Sequence, residues 1–284
     1  MKTSSLYAVF GRPIKHTLSP QIHQLFAKEQ GIGLTYEARL VESSLENAVQ
    51  QFVEQGGVGA NVTLTFKVDA FKLCGDRLSE PAKVAGAVNT LIRLPNENTW
   101  YGDNTDGAGL MMDLQRLNVL KKNMKVLIIG AGGAARGVIS PLQSNKATVF
   151  IHNRTIQKAV DLADEFGCTA LKHDELKNQS FDIVINATSA SLEGKLPDIP
   201  EETLKKIFCE TQLAYDMFYD ITKDTKFVDF AKKSNCKNAH DGLGMLVGQA
   251  AKSYELWQNF EPNIDRVLQE LRPEKSNKLK EQVA

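Results

Sequence analysis

Gly130, Gly132 and Ala135 are spaced as G-x-G-x-x-A, directly after the apolar run 124–129 and at the start of a helical pattern. In that setting the first glycine makes a tight turn, the second lets a pyrophosphate approach the backbone, and the small third residue lets the helix pack on its sheet. The turn Gly130, Ala131, Gly132, Gly133, Ala134 therefore reads as a dinucleotide site, with free N–H groups at the helix start facing the anion. The plainer alternative is a glycine-rich turn that binds nothing. The next strand ends in His152-Asn153-Arg154-Thr155. NAD-specific proteins carry an Asp or Glu there for the ribose 2′-hydroxyl. Here no acid stands to repel a 2′-phosphate, Arg154 offers it a planar fork of donors, and Lys158 adds a charge one turn later. NADP is favoured over NAD, the alternative being two solvated surface cations.

The elements that must position this turn are legible as alternating periods. Residues 6–10 read as a buried strand; Ser19 is placed to cap a helix with Pro20 at its first position, and Gly31 ends it. A strand at 36–41 precedes Ser43-Ser44-Leu45-Glu46, a capping-box pattern. The helix it opens carries apolar Leu45, Ala48, Val49, Phe52 and Val53 and stops at Gly56-Gly57. A strand at 59–64, a helix at 66–74 and a hairpin from 87–94 and 99–102 follow. After a linking helix at 108–117, strands at 124–129, 147–152, 183–187 and 213–217 alternate with helices. One of these, 155–166, has Ile156, Ala159, Val160 and Ala163 on one face. The alternation predicts two α/β domains, the second doubly wound.

Bulk composition narrows the partners. A chain of 284 residues can bury two modest cores. Its 34 basic and 34 acidic residues cancel without long blocks of one sign, which disfavours nucleic acid and anionic membrane and leaves a small molecule. No run approaches the ~20 apolar residues of a membrane helix, and the N-terminus lacks a signal-peptide core. The four cysteines include no C-x-x-C pair and the five histidines show no ligand spacing. A cytoplasmic protein with reduced thiols and no metal requirement is the expectation.

Five further stretches carry a family resemblance: 11–20 (GRPIKHTLSP), 61–67 (NVTLTFK), 86–90 (GAVNT), 102–107 (GDNTDG) and 241–246 (DGLGML). In this order they resemble shikimate dehydrogenases, as do Asn186-Ala187-Thr188-Ser189 and 215–219, so that the likeness runs from about Tyr7 to Gln249. It implies a discontinuous substrate domain, 1–106 with 240–272, a Rossmann-type NADP domain at 107–239, a cleft between them, and a frayed tail at 273–284. It also implies shikimate or its 3-dehydro ketone as substrate. Thr17 and Ser19 would bind the carboxylate, and Thr63, Asn89, Gln249 and Tyr219 the ring hydroxyls. Ser19 as a mere helix cap and Asn89 as a strand-end residue remain open. Lys67 and Asp106 would be catalytic: a hydride leaving a carbinol carbon must be matched by loss of the hydroxyl proton, which Lys67 would shuttle while Asp106 orients it. On the cofactor side the resemblance adds Glu80, Thr188, Met217 and Gly242 to Asn153, Arg154, Thr155 and Lys158.

Three positions depart from the family pattern. Thr17 replaces a common serine, which loosens the expectation of shikimate over quinate. Thr65 stands for a usual proline and Ser191 for a usual glycine, so both loops are expected to be more mobile or differently shaped. The rival readings are a quinate/shikimate dehydrogenase of broader specificity and a catalytically silent NADPH-binding regulator. Either a monomer or a homodimer fits.

Overall fold

The computed structural model describes residues 5–94 and 99–272. The tail 273–284 and the hairpin connection 95–98 lie outside the described residues. The chain divides into two units, Met1–Gly109 with Val247–Ala284, and Leu110–Leu246.

The first unit contains β1 (Ser5–Gly11), α1 (Ser19–Gln30), β2 (Leu34–Leu40), α2 (Leu45–Glu54), β3 (Gly57–Val62), α3 (Lys67–Cys74), α4 (Glu80–Ala85), β4 (Thr90–Leu94) and β5 (Thr99–Asp103). Its sheet has the order β2-β1-β3-β4-β5. β1 runs parallel to both neighbours, and β4 is antiparallel to β3 and to β5. This topology decides where the chemistry can be. The chain leaves β1, leaves β3, enters β4 and leaves β5 at one and the same edge, so the segments after Gly11, after Val62, before Thr90 and after Asp103 converge there.

Helix α2 supplies Leu45, Val49 and Phe52 to the core beneath, and Phe52 meets Phe10 edge-on at 5.5 Å. Truncating so buried an aromatic costs about 3–5 kcal/mol. The cap of α2 is Ser44, which accepts from the backbone N–H of Asn47 at 3.2 Å. Glu46 is therefore the second residue of the helix, one short of the capping-box position, and the S-x-x-E pattern from Ser43 is not used.

The second unit begins within α5 (Asp106–Arg116) and holds β6 (Lys125–Ile129), α6 (Gly133–Ser144), β7 (Thr148–His152), α7 (Ile156–Phe166), β8 (Thr169–Ala170), α8 (His173–Leu176), β9 (Ile183–Asn186), α9 (Glu201–Glu210), β10 (Leu213–Asp216), α10 (Lys226–Lys233) and β11 (Ala239–Asp241). Its strands are all parallel, in the order β11-β10-β9-β6-β7-β8. Counted from β6, that is the Rossmann order 3-2-1-4-5-6 read backwards, and the direction of winding reverses between β6 and β9. β9 and β10 are buried throughout, as a parallel sheet covered on both faces requires. The last helices are α11 (Leu243–Gln258), which carries the chain back into the first unit, and α12 (Ile264–Leu271). In that first unit the Trp257 indole N–H donates to the Leu91 carbonyl at 3.1 Å, which docks α11 on β4.

Candidate active site

Four of the residues singled out in the sequence meet at the convergent edge of the first sheet. Lys67 opens α3 directly after β3, and its Nζ lies 2.5 Å from Asp106 Oδ2 at the start of α5, with the two side chains 26% and 17% exposed. The pair is thus half-sheltered yet open to a small ligand. Asn89, 2% exposed, donates from Nδ2 to Asp106 Oδ1 at 2.8 Å and to Gln249 Oε1 on α11 at 3.3 Å. Its amide can face only one way. Oδ1 accepts from the Thr105 backbone N–H at 2.9 Å, a group that can only donate, so Nδ2 must point at the carboxylate. Asp106 is held in turn because its own backbone N–H donates to Asn104 Oδ1 at 3.1 Å.

Behind this cluster lies a buried polar layer that the sequence reading did not single out. Ser253 Oγ lies 2.8 Å from Thr90 Oγ1 and 3.2 Å from Thr105 Oγ1, accepts from Asn61 Nδ2 at 2.9 Å, and donates to the Gln249 carbonyl at 3.0 Å. The signal for it was present: Ser253 follows Gln249 by four residues, on the same helix face. Asn61 Oδ1 accepts from the Tyr36 phenol at 2.7 Å. His23 stacks on Tyr36 with ring centroids 4.2 Å apart, fully buried and with neither ring nitrogen hydrogen-bonded. Burial lowers its pKa to about 3, against an opposing influence from Asn61.

Ser19 is not the helix cap expected from the sequence. The cap position is Leu18, and Ser19 is the first helical residue. The Thr17 hydroxyl oxygen accepts from the Ser19 backbone N–H at 3.3 Å and its hydrogen is donated to Ser19 Oγ at 3.1 Å. Thr63 follows β3 and is anchored through its backbone N–H to the Phe10 carbonyl at 2.9 Å. Glu80 opens α4 with an exposed carboxylate 3.9 Å from Lys83.

In the second unit the glycine turn stands at the carboxyl end of β6, at the switch point. Gly130 has φ +115, and a Cβ there would come within 3.0 Å of the Ala187 backbone, so the position demands glycine. Gly132 caps α6 without any side-chain bond, and a Cβ on it or on Gly133 would meet nothing within 4 Å. The free N–H groups of a helix start of this kind are suited to an anion. Gly132, Gly133 and Ala134 are exposed and Ala131 half-buried, whereas Ala135 is fully buried against the sheet. At the end of β7, Arg154, Thr155 and Lys158 are exposed, and Asn153 Nδ2 donates to the Thr155 carbonyl at 2.9 Å. These observations fit a dinucleotide bearing a 2′-phosphate.

Thr188 is tied into its own turn, its backbone N–H and its hydroxyl both donating to Asn186 Oδ1, at 3.1 and 2.7 Å. Met217 leaves β10 half-buried, and Tyr219, two residues on, stacks on Phe218 at 6.1 Å. A Cβ at Gly242 would collide with the Met217 carbonyl, which gives that glycine a packing reason of its own.

Three family models match the chain: a shikimate dehydrogenase substrate binding domain over 9–91, shikimate / quinate 5-dehydrogenase over 114–223, and a shikimate 5′-dehydrogenase C-terminal domain over 242–272. A shikimate dehydrogenase (NADP(+)) from Actinobacillus succinogenes is 46% identical over 93% of this chain and 97% of its own length. One from Actinobacillus pleuropneumoniae serotype 5b is 43% identical over 95% and 98%. The chain belongs to the shikimate dehydrogenase family. A shikimate 5-dehydrogenase from Thermus thermophilus, solved in complex with NADP(H) and shikimate, superposes with a TM-score of 0.82 at 29% identity, covering 97% of this chain and 99% of the other.

Of the two expectations for the departure at Ser191, greater mobility or a different shape, the structure bears on the shape. The side chain is buried and its hydroxyl donates to Asp216 Oδ2 at 2.6 Å, so the serine fastens the turn after β9. Thr65 is exposed within the single 3-10 turn, Leu64–Phe66, that leads into Lys67.

Proposed function

We propose that this chain is an NADP(H)-dependent shikimate dehydrogenase, which interconverts shikimate and its 3-dehydro ketone, with Lys67 and Asp106 as its catalytic residues. The observation that carries the catalytic assignment is the Lys67, Asp106 and Asn89 cluster: an ammonium held 2.5 Å from a carboxylate whose other oxygen is already engaged by an oriented amide. NADP, when bound, accepts the hydride in oxidation, and NADPH supplies it in reduction. Oxidation of the carbinol also releases the hydroxyl proton, which the Lys67 amine takes up; in reduction the Lys67 ammonium returns it to the oxygen. Asp106 orients Lys67 and accepts a hydrogen bond from the reacting hydroxyl. The hydroxyls of Thr17 and Ser19 donate to the substrate carboxylate, and Thr63, Asn89, Gln249 and Tyr219 pair with the ring hydroxyls. On the cofactor side, the backbone at Gly130, Ala131, Gly132, Gly133 and Ala134 takes the pyrophosphate. Arg154 and Lys158 take the 2′-phosphate, with Asn153 and Thr155 framing it. Thr188, Met217 and Gly242 line the nicotinamide end.

The test is cofactor reduction with shikimate and with quinate, each with NADP and with NAD, at matched concentrations. The expected result is turnover highest with shikimate and NADP. Equal or faster turnover with quinate or with NAD contradicts the specificity, and no substrate-dependent reduction in any combination contradicts the enzyme itself.

A further inference from the structure

Asp216 closes β10 with its carboxylate fully buried and four donors upon it. Oδ2 accepts from the Ser191 hydroxyl at 2.6 Å and the Thr225 hydroxyl at 2.7 Å. Oδ1 accepts from the Asn186 amide at 3.0 Å and the Phe218 backbone N–H at 3.2 Å. None of these four partners is a cation, so neutral donors alone offset the cost of burying the charge. Burial raises the carboxyl pKa and the four hydrogen bonds oppose it.

Each donor belongs to a different segment at the carboxyl edge of the sheet. Asn186 ends β9, Ser191 sits in the turn that follows, Phe218 lies in the chain leaving β10, and Thr225 is the cap of α10. The Asn186 amide is fixed in orientation because its Oδ1 receives the Thr188 backbone N–H, which can only donate. Geometry therefore passes from Asp216 through Asn186 to Thr188, and through the Phe218 N–H to the segment Met217-Phe218-Tyr219. Ser191 reinforces both oxygen and amide, since its Oγ also accepts from Asn186 Nδ2 at 3.1 Å. A glycine at this position, usual in the family, has no hydroxyl to give.

We propose that Asp216 and Ser191 are positioning residues for the cofactor, holding the Thr188 turn and the Met217-Phe218-Tyr219 segment in the shape that the nicotinamide half of NADP(H) meets. This rests on the assignment of Thr188 and Met217 to the cofactor made above. Ser191 acts through Asn186 and the Thr188 turn, so its loss should move cofactor parameters and leave those of the substrate alone, whereas Asp216 also holds the chain that leads to Tyr219 and its loss should move both.

The experiment compares Ser191→Ala, Ser191→Gly, Asp216→Ala and Asp216→Asn in the full chain, measuring kcat, the KM for NADP and the KM for shikimate, with direct NADPH binding by fluorescence. Each Ser191 variant removes two hydrogen bonds and is expected to raise the KM for NADP about 3- to 10-fold, with the KM for shikimate unchanged. Asp216→Ala should be worse. Asp216→Asn should recover most of that loss, because its amide can donate to the hydroxyl oxygens of Ser191 and Thr225 once they turn from donors to acceptors. If Asp216→Ala does not fold, the Ser191 pair still decides the matter. In the Ser191 variants an unchanged KM for NADP, or an equal rise in both KM values, overturns the positioning role while wild-type NADPH binding leaves the cofactor assignment standing. Absence of NADPH binding by the wild type takes both down.

Discussion

At Ser19 the backbone removes one of the two readings of the hydroxyl, that of a helix cap. The pattern Ser-Pro reads as a cap followed by a first helical residue, but the helix starts one residue earlier, and Thr17 supplies the oxygen that holds the Ser19 N–H. A one-residue shift of this kind is invisible in sequence because the cap is Leu18, a residue type that carries no capping signal. Lys67, Asp106, Asn89 and Gln249 were legible as a set, though not the fixed sense of the Asn89 amide, which depends on a backbone N–H sixteen residues away. Nor was the isolation of His23 legible. Its pKa, lowered by burial from 6.5 to about 3, makes it a sensor of folding. The unfolded chain takes up a proton there as pH falls below 6.5, while the folded chain does not. Stability is therefore full above that pH and falls through the acid range, at about 1.4 kcal/mol per pH unit for one proton. His23→Phe, which keeps a ring stacked on Tyr36, should lessen the loss between about pH 6.5 and 5 by roughly 2 kcal/mol in denaturant titrations. An unaltered slope would remove His23 from the acid response.

The glycine turn shows how much more an element says than its motif. Gly130 and Gly132 are equal members of one fingerprint, yet the first is required by the fold and the second is not. Gly130→Ala places a side chain at φ +115, 3.0 Å from the Ala187 backbone, and should destabilise the protein by about 1–3 kcal/mol. Gly132 has φ −96 and open space before it, so Gly132→Leu should leave the melting temperature within a degree or two. The same variant should weaken NADPH binding at least tenfold, because the new side chain occupies the anion's place. Unimpaired NADPH binding by Gly132→Leu would mean that the pyrophosphate does not sit on α6. The helices of the second unit were less legible than its strands. α9, α10 and the short β8 and β11 lack the dense apolar runs that marked β6 and β7, and β8 spans only two residues. The partner of Ser191 was not legible for a different reason: replacing glycine suggests a more mobile or differently shaped loop, and only the fold reveals the buried carboxylate that takes the hydroxyl.

Over the whole chain, two α/β units with separate tasks follow from two sheet topologies. A mixed sheet brings four chain segments to one edge and assembles the Lys67, Asp106 and Asn89 cluster proposed to handle the proton; a parallel sheet with one reversal of winding sets the glycine turn proposed to take the pyrophosphate at its switch point. The alternation of periods in the sequence made both units readable, because buried parallel strands are nearly continuous apolar runs. Substrate identity was readable only through the family motifs, since a handful of hydroxyls and amides has no periodicity. Proton transfer is proposed for the first unit and cofactor binding for the second, and Lys67→Ala separates the two most directly. Shikimate-dependent reduction of NADP by this variant should fall about 10²- to 10⁴-fold in kcat, with NADPH binding unchanged. Turnover near the wild-type rate would contradict the assignment of Lys67, and with it the chemistry proposed for this chain.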